Sequence, residues 1–183
     1  MNCSKLDLRC TKCRLCKGRT QVVPGSGSCS SRIVFVGEAP GKDEDLHGMP
    51  FVGRAGRILE AALAELGVDR SSVYITNTVK CRPPGNRRPR ADEMRTCRPY
   101  LDSEFERIRP SVICALGQTA ANSLLGNRHG MGKLMRIDWA VTVGGAELKV
   151  MVAYHPAACL YGRRNLGPFK AQIKKSLVEA EVI

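Results

Sequence analysis

The chain predicts an α/β fold in three layers, a mostly parallel sheet with helices packed on both faces. Three observations carry this expectation. Short apolar runs alternate with longer stretches of helical periodicity, the pattern of repeated strand–helix units. The first run, Ile33, Val34, Phe35 and Val36, is apolar at every position, as in a strand buried on both faces. Several runs finish on polar residues: Val36 into Gly37 and Glu38, Thr76 into Asn77, Tyr154 into His155. In a parallel sheet those ends converge on the carboxyl edge, where ligands bind.

The elements follow in order. Residues 1–31 are rich in Cys, Gly and Ser and form an irregular arm. Residues 33–36 make the first strand, which runs into Gly37-Glu38-Ala39-Pro40-Gly41, a turn stiffened by Gly and Pro. Residues 57–66 have helical periodicity and stop at Gly67, a favourable residue just past a helix end. A second strand spans 73–76 and ends at Asn77, and 80–90 is a loop of Pro, Gly and Arg. Residues 91–108 are helical, with Asp92 and Glu93 favouring the helix dipole in the first turn. A third strand at 111–116, a helix at 118–125 and a loop at 126–132 come next. Residues 139–143 and 148–154 bracket Gly144-Gly145, a hairpin signal. A closing helix spans 169–178. No repeat is present, and 183 residues suit a single domain over 1–183.

The charge points to a partner. Lys and Arg number 29 against 17 acids, a net charge of +12, and an excess of this size favours a polyanion such as nucleic acid. It is concentrated in 1–22, 80–90 and 161–175, whereas 37–50 carries Glu38, Asp43, Glu44 and Asp45 against Lys42. An acidic pocket mouth between basic segments suits an enzyme that grips a phosphate backbone and reacts at one point. The N-terminus is polar, without the apolar core of a leader, and no apolar run reaches bilayer length. The expectation is a cytoplasmic protein with no membrane partner.

Nine cysteines in an intracellular chain favour metal ligation over a disulfide framework. Cys10 and Cys13 form a C-x-x-C pair, and Cys81 and Cys97 flank the basic loop. Four thiolates from two distant segments fit tetrahedral zinc or an iron–sulfur cluster. Spacing does not separate the two metals, and Cys13 with Cys16 makes an equally good pair. Cys29, Cys114 and Cys159 read as ordinary buried thiols. The Gly-rich turn lacks the glycine spacing of phosphate- and dinucleotide-binding loops.

These residues carry a resemblance. Gly37-Glu38-Ala39-Pro40-Gly41, Glu44-Asp45 and Gly48-Met49-Pro50-Phe51-Val52-Gly53-Arg54-Ala55-Gly56 resemble the first motif of the family-4 uracil-DNA glycosylases. Residues 74–84, Y-I-T-N-T-V-K-C-R-P-P, resemble the second, and His155-Pro156 the third. The resemblance covers nearly the whole chain, with the motifs in family order. It implies a three-layer α/β/α fold around a central, mostly parallel four-stranded sheet. It also implies a monomeric, monofunctional base-excision repair enzyme that acts on uracil-containing DNA and carries a [4Fe-4S] cluster. The family's arm motif, C-T-x-C, matches Cys10 and Cys13, which makes Cys10, Cys13, Cys81 and Cys97 the expected ligands, with Cys16 the runner-up.

The same resemblance assigns the pocket. Gly37, Glu38 and Ala39 line the base, Phe51 stacks on it, Asn77 reads its edge and His155 steadies the leaving anion. Ala39 stands where a related glycosylase family has an Asp that handles the water. The candidates for the water are then Glu38 itself or Glu44 and Asp45 just downstream; Glu38 is expected to be catalytic or water-positioning, and Glu44, with Asp45, to form the specificity wall. A related subclass bonds covalently to the sugar through a His in an Arg-rich insertion; residues 82–98 contain no His, so no protein–DNA adduct is expected. Arg82, Arg87, Arg88, Arg163 and Arg164 are expected to contact the DNA backbone. His47 and His129 carry no expected role.

Overall fold

The structure, a computed structural model, describes residues 3–183, apart from the side chain of Arg163. A six-stranded sheet runs in the order β1 (Ser26–Gly27), β3 (Tyr74–Asn77), β2 (Ile33–Gly37), β4 (Val112–Leu116), β6 (Ala146–Ala153), β5 (Trp139–Val143). β3, β2, β4 and β6 are mutually parallel, and the edge strands β1 and β5 are antiparallel to their neighbours. The parallel core thus holds the four strands that the resemblance implies, and the sheet is wider by two. One addition is a two-residue pairing of the arm on Tyr74 and Ile75. The other is the hairpin strand β5, turned by Gly144 and Gly145, both at positive φ, as a two-residue hairpin of right-twisted strands requires.

Every residue of β2, β3 and β4 is buried, because both faces are covered. Alternation along each strand divides the core. Ile33, Phe35, Ile75, Cys114 and Leu116 face the helices α2 (Arg54–Glu65) and α7 (Leu166–Glu179), and Val34, Val36, Tyr74, Ile113 and Ala115 face α3 (Ala91–Ile108) and α4 (Gln118–Leu125). No helix among the described residues is long and apolar enough to cross a membrane.

Several boundaries differ from expectation for local reasons. α2 begins three residues before the expected start at 57, because Gly53 accepts from the Arg57 amide. Two short helices, α1 (Lys42–His47) and α6 (Pro156–Tyr161), hold too few residues to display a period, and α5 (Met131–Leu134) begins inside the expected 126–132 loop. Cys29 is not a buried thiol: it forms a disulfide with Cys3.

This topology creates the site. From β2 the chain passes to β3 on one side, then to β4 on the other. The carboxyl end of β2 is therefore a switch point, and the Gly37–Gly41 turn opens over it.

Candidate active site

A cavity of about 430 Å³ opens at that edge, lined by Glu38, Ala39, Phe51, Asn77 and His155, with Glu44, Pro83 and Arg87 among its walls. Gly37 pairs with Asn77 in the β2–β3 register. A β-carbon on Gly37 would sit 2.4 Å from Asn77 Oδ1 and 2.5 Å from Phe51 Cζ. Any other residue there would push the pocket's two main side chains apart.

Asn77 is 2% exposed, and its Oδ1 is buried with no hydrogen-bond partner. Its backbone is held on both sides. Thr78 N donates to Gly37 O at 3.0 Å and Thr78 Oγ1 to Glu38 O at 2.6 Å. Lys80 Nζ donates to Asn77 O at 3.1 Å. An orphaned buried carbonyl oxygen costs on the order of 1–3 kcal/mol, and it keeps its capacity to accept a hydrogen bond.

Phe51 adopts a left-handed backbone, φ 54°, which costs a bulky residue roughly 1–3 kcal/mol. Arg70 holds the conformation: its guanidinium donates to Phe51 O at 3.0 Å and also to Pro50 O. A β-carbon at Gly56 would lie 1.9 Å from Phe51 O, so α2 and this turn approach closely only through glycine. The result presents the Phe51 ring 5.9 Å from that of His155.

His155 caps α6, and its Nδ1 accepts from Ala157 N at 3.1 Å. Nδ1 is thus occupied as an acceptor, and the neutral ring carries its proton on Nε2. Burial lowers the imidazole pKa from its ordinary value, against the opposing pull of Glu38 and Glu44.

The acids separate by role. Glu38 lies at the mouth, its side chain 30% exposed and 3.9 Å from Arg88 Nε. Glu44 Oε2 accepts from Gly41 N at 3.0 Å, and its Oε1 from Val52 N at 2.9 Å and Gly53 N at 2.8 Å. Its carboxylate braces the two turns that form the wall. Asp45 is buried and is not in the cavity lining; it accepts from Thr20 N at 2.9 and 3.0 Å and ties the arm to α1.

The basic residues separate in the same way. Lys80, counted from the sequence in the basic 80–90 segment, is 1% exposed and paired with Glu104 at 2.7 Å. Arg87 grips the buried Glu93 through both guanidinium nitrogens, at 2.6 and 2.8 Å, and holds that carboxyl below its usual range. Arg82 is turned to Asn86 at 2.7 Å. Arg88 and Arg164 are exposed, and the Arg163 side chain lies outside the described residues. His47 bonds Asp43 O, and His129 stacks on Trp139; neither lines the pocket.

Cys10, Cys13, Cys81 and Cys97 line one cavity together with Leu6, Val22 and Tyr100, and Cys16 does not. Burial raises the Cys13 and Cys97 thiols and pushes Cys81 up to about 11, against the nearby Arg19 guanidinium at 3.1 Å. Among the described residues no three Cys, His or acidic side chains are gathered for a single metal ion. Ala39 packs against the same apolar shell, so this region adjoins the pocket floor. Cys114 and Cys159 are buried in the core.

Sequence reasoning missed Arg70 as the clamp on Phe51, and the burial of Lys80 on Glu104. For Lys80 a signal existed: it directly follows the buried strand-end run Asn77-Thr78-Val79, where a solvated lysine is out of place.

The uracil DNA glycosylase superfamily model matches residues 24–179. The type-4 uracil-DNA glycosylase of Archaeoglobus fulgidus is 44% identical over 178 residues, covering 92% of this chain and 86% of that protein. That of Thermotoga maritima is 46% identical over 160 residues, covering 86% and 81%. That of Pyrobaculum aerophilum is 41% identical over 173 residues, covering 92% and 88%. The chain that builds this pocket at its sheet switch point therefore belongs to the uracil-DNA glycosylase superfamily, among the type-4 enzymes.

Proposed function

We propose that the protein flips uracil out of DNA into the pocket and hydrolyses its N-glycosidic bond, releasing uracil and leaving an abasic site. The observation that carries this reading is Asn77, its Oδ1 buried without a partner, in the wall of a cavity that His155 also lines. A base inside a duplex is out of reach of any such pocket, so it must be extruded or already unpaired. Phe51 supplies a flat face. Asn77 Oδ1 accepts from uracil N3–H while its amide group donates to O4, a pairing that cytosine's edge does not offer to the amide in this orientation. His155 Nε2–H donates to O2, where negative charge grows as the bond breaks; a donor already aimed at that charge lowers the barrier. Glu38 supplies negative charge on the sugar side, stabilising an oxocarbenium-like centre and orienting water. Glu44 acts as a brace for the wall.

The test is cleavage of matched oligonucleotides carrying uracil, thymine, hypoxanthine or 5-hydroxymethyluracil. Uracil is expected to be released with an alkali-labile abasic site, and thymine to be left intact. Loss of uracil release would refute the reading. Glu38→Gln is expected to slow single-turnover excision; an unchanged rate removes Glu38 from the chemistry.

The donor set of Cys10, Cys13, Cys81 and Cys97, four thiols lining one cavity, suits the all-thiolate ligation of an iron–sulfur cluster. These residues would hold a [4Fe-4S] cluster, which when bound supplies a covalent tie between the arm, the basic loop and α3. Chemistry at the base is left to the pocket residues.

Arg88 and Arg164, exposed, are the residues proposed to meet the DNA backbone, with Arg87 holding the loop in shape. Arg88→Ala is expected to reduce the slope of log affinity against log salt by about one phosphate contact. Arg87→Ala should act through loop order, and an unchanged slope for Arg88→Ala would sink the assignment.

A further inference from the structure

Beneath the floor of the pocket lies a buried polar network that the chemistry above does not use. Lys80 is 1% exposed and Glu104 0%. Lys80 Nζ donates to Glu104 Oε2 at 2.7 Å, to Asn77 O at 3.1 Å and to Thr76 Oγ1. Tyr74 OH, itself 1% exposed, donates to the other Glu104 oxygen at 3.3 Å. The lysine thus curls back over its own chain, with its head group under the end of β3 and anchored to α3. A buried ion pair is a poor means of gaining stability: desolvation of both charges offsets most of their attraction, and an apolar pair of like volume serves about as well. Its use lies in where it puts the donor. Asn77 O is the last carbonyl of the parallel strand, beyond which the ladder offers no further partner on that side, and the ammonium takes it.

We propose that Lys80 is a positioning residue for uracil excision: held by Glu104, its ammonium fixes the Asn77 peptide so that the Asn77 amide meets the base in transition-state geometry. This rests on the reading of Asn77 as the group that pairs with uracil. Thr78 N–H, the other end of the same peptide group, donates to Gly37 O, and Thr78 Oγ1 donates to Glu38 O, so with Lys80 in place the Asn77–Thr78 peptide is held at both its C=O and its N–H. Without the ammonium one side is released. The side chain then meets the base as one of several conformations, and the cost falls on the chemical step, which needs the reacting groups held to a fraction of an ångström.

The test is a double-mutant cycle on the complete enzyme. Lys80→Met alone leaves a stranded carboxylate, so it is combined with Glu104→Gln, which removes that penalty. The pair is introduced into the parent and into Asn77→Ala. Single-turnover rate, uracil-DNA dissociation constant and melting temperature are measured for each. In the parent background the pair is expected to slow single-turnover excision about 10- to 100-fold, the loss of one charge-assisted bond, with the dissociation constant unchanged. In the Asn77→Ala background the same pair should cost less than about threefold, since residues that act through one another are not additive. Equal losses in the two backgrounds, an unchanged rate in the parent background, or a pair that does not fold would each place Lys80 in the scaffold alone and overturn the proposal. Uracil release by the unsubstituted enzyme, measured in parallel, keeps a failure of the functional reading distinct from a failure of this one.

Discussion

His155→Ala is expected to slow single-turnover uracil excision by about 10²–10³-fold, the usual cost of losing one preorganised donor to a developing oxyanion. The loss should fall on the rate, with DNA affinity nearly unchanged, because the donor bond strengthens as charge moves onto the base. The geometry adds a pH signature. Nδ1 accepts the Ala157 amide, so the neutral ring already points its N–H into the pocket. Burial holds the imidazole pKa below its ordinary value. The neutral donor therefore persists through neutral pH, and the protonation of His155 should appear only below about 6.5. The unfolded chain takes up that proton first, so the same group withdraws stability as the pH falls from the unfolded value to the folded one. The His155→Ala variant should lose that acid limb. A variant with the parental rate, or a parental profile whose His155 limb sits above 6.5, would remove His155 from the role of neutral donor.

Asn77→Ala is the second large effect. Two hydrogen bonds to the base vanish, and the expected loss is about 10²–10⁴-fold in kcat/KM, at roughly 1–3 kcal/mol for each. The fold should survive, since truncation removes an orphaned oxygen and its desolvation cost along with the side chain. Melting at or above the parental temperature together with lost excision is the expected pair of results. Retained excision with lost stability would reverse the assignment and make Asn77 a packing residue. The comparison with cytosine is informative too. A site whose preference rests on one amide should lose its discrimination of uracil from cytosine when the amide goes, because the stacking face of Phe51 does not distinguish the two rings.

The arrangement explains why the pocket is assembled from such distant residues. Gly37 leaves the room beside its α-carbon that the Asn77 and Phe51 side chains both occupy. Phe51 is forced into a left-handed backbone and is kept there by Arg70. Glu44 gathers two turns onto one carboxylate. The groups proposed to meet the base are few, and Arg70, Glu44 and Thr78 beside them hold the backbone that carries them, as a preorganised site requires.

Much of this was legible in the chain. The run Ile33, Val34, Phe35 and Val36 reads as a buried strand and the Gly/Pro segment after it as a turn, because apolar patterning and backbone sterics are local properties. The family resemblance of the motifs assigns Gly37, Phe51, Asn77 and His155 to one pocket; Phe51, Asn77 and His155 line it, and Gly37 lies against Asn77 and Phe51. What the chain alone did not settle was which charged side chains face water. Lys80, Arg87 and Arg88 are nearly equivalent in sequence. Yet Lys80 is buried on Glu104, Arg87 is held by Glu93, and Arg88 is exposed. Asp45 and Glu44 are neighbours, and one binds the arm while the other braces the wall. The difference is physical. Strand, turn and helix tendencies follow from each residue and its near neighbours, and so can be read along the chain. The partner of a charged side chain is chosen by desolvation and by groups brought near from elsewhere in the sequence, 24 residues away for Lys80 and Glu104, and only the folded chain makes that choice.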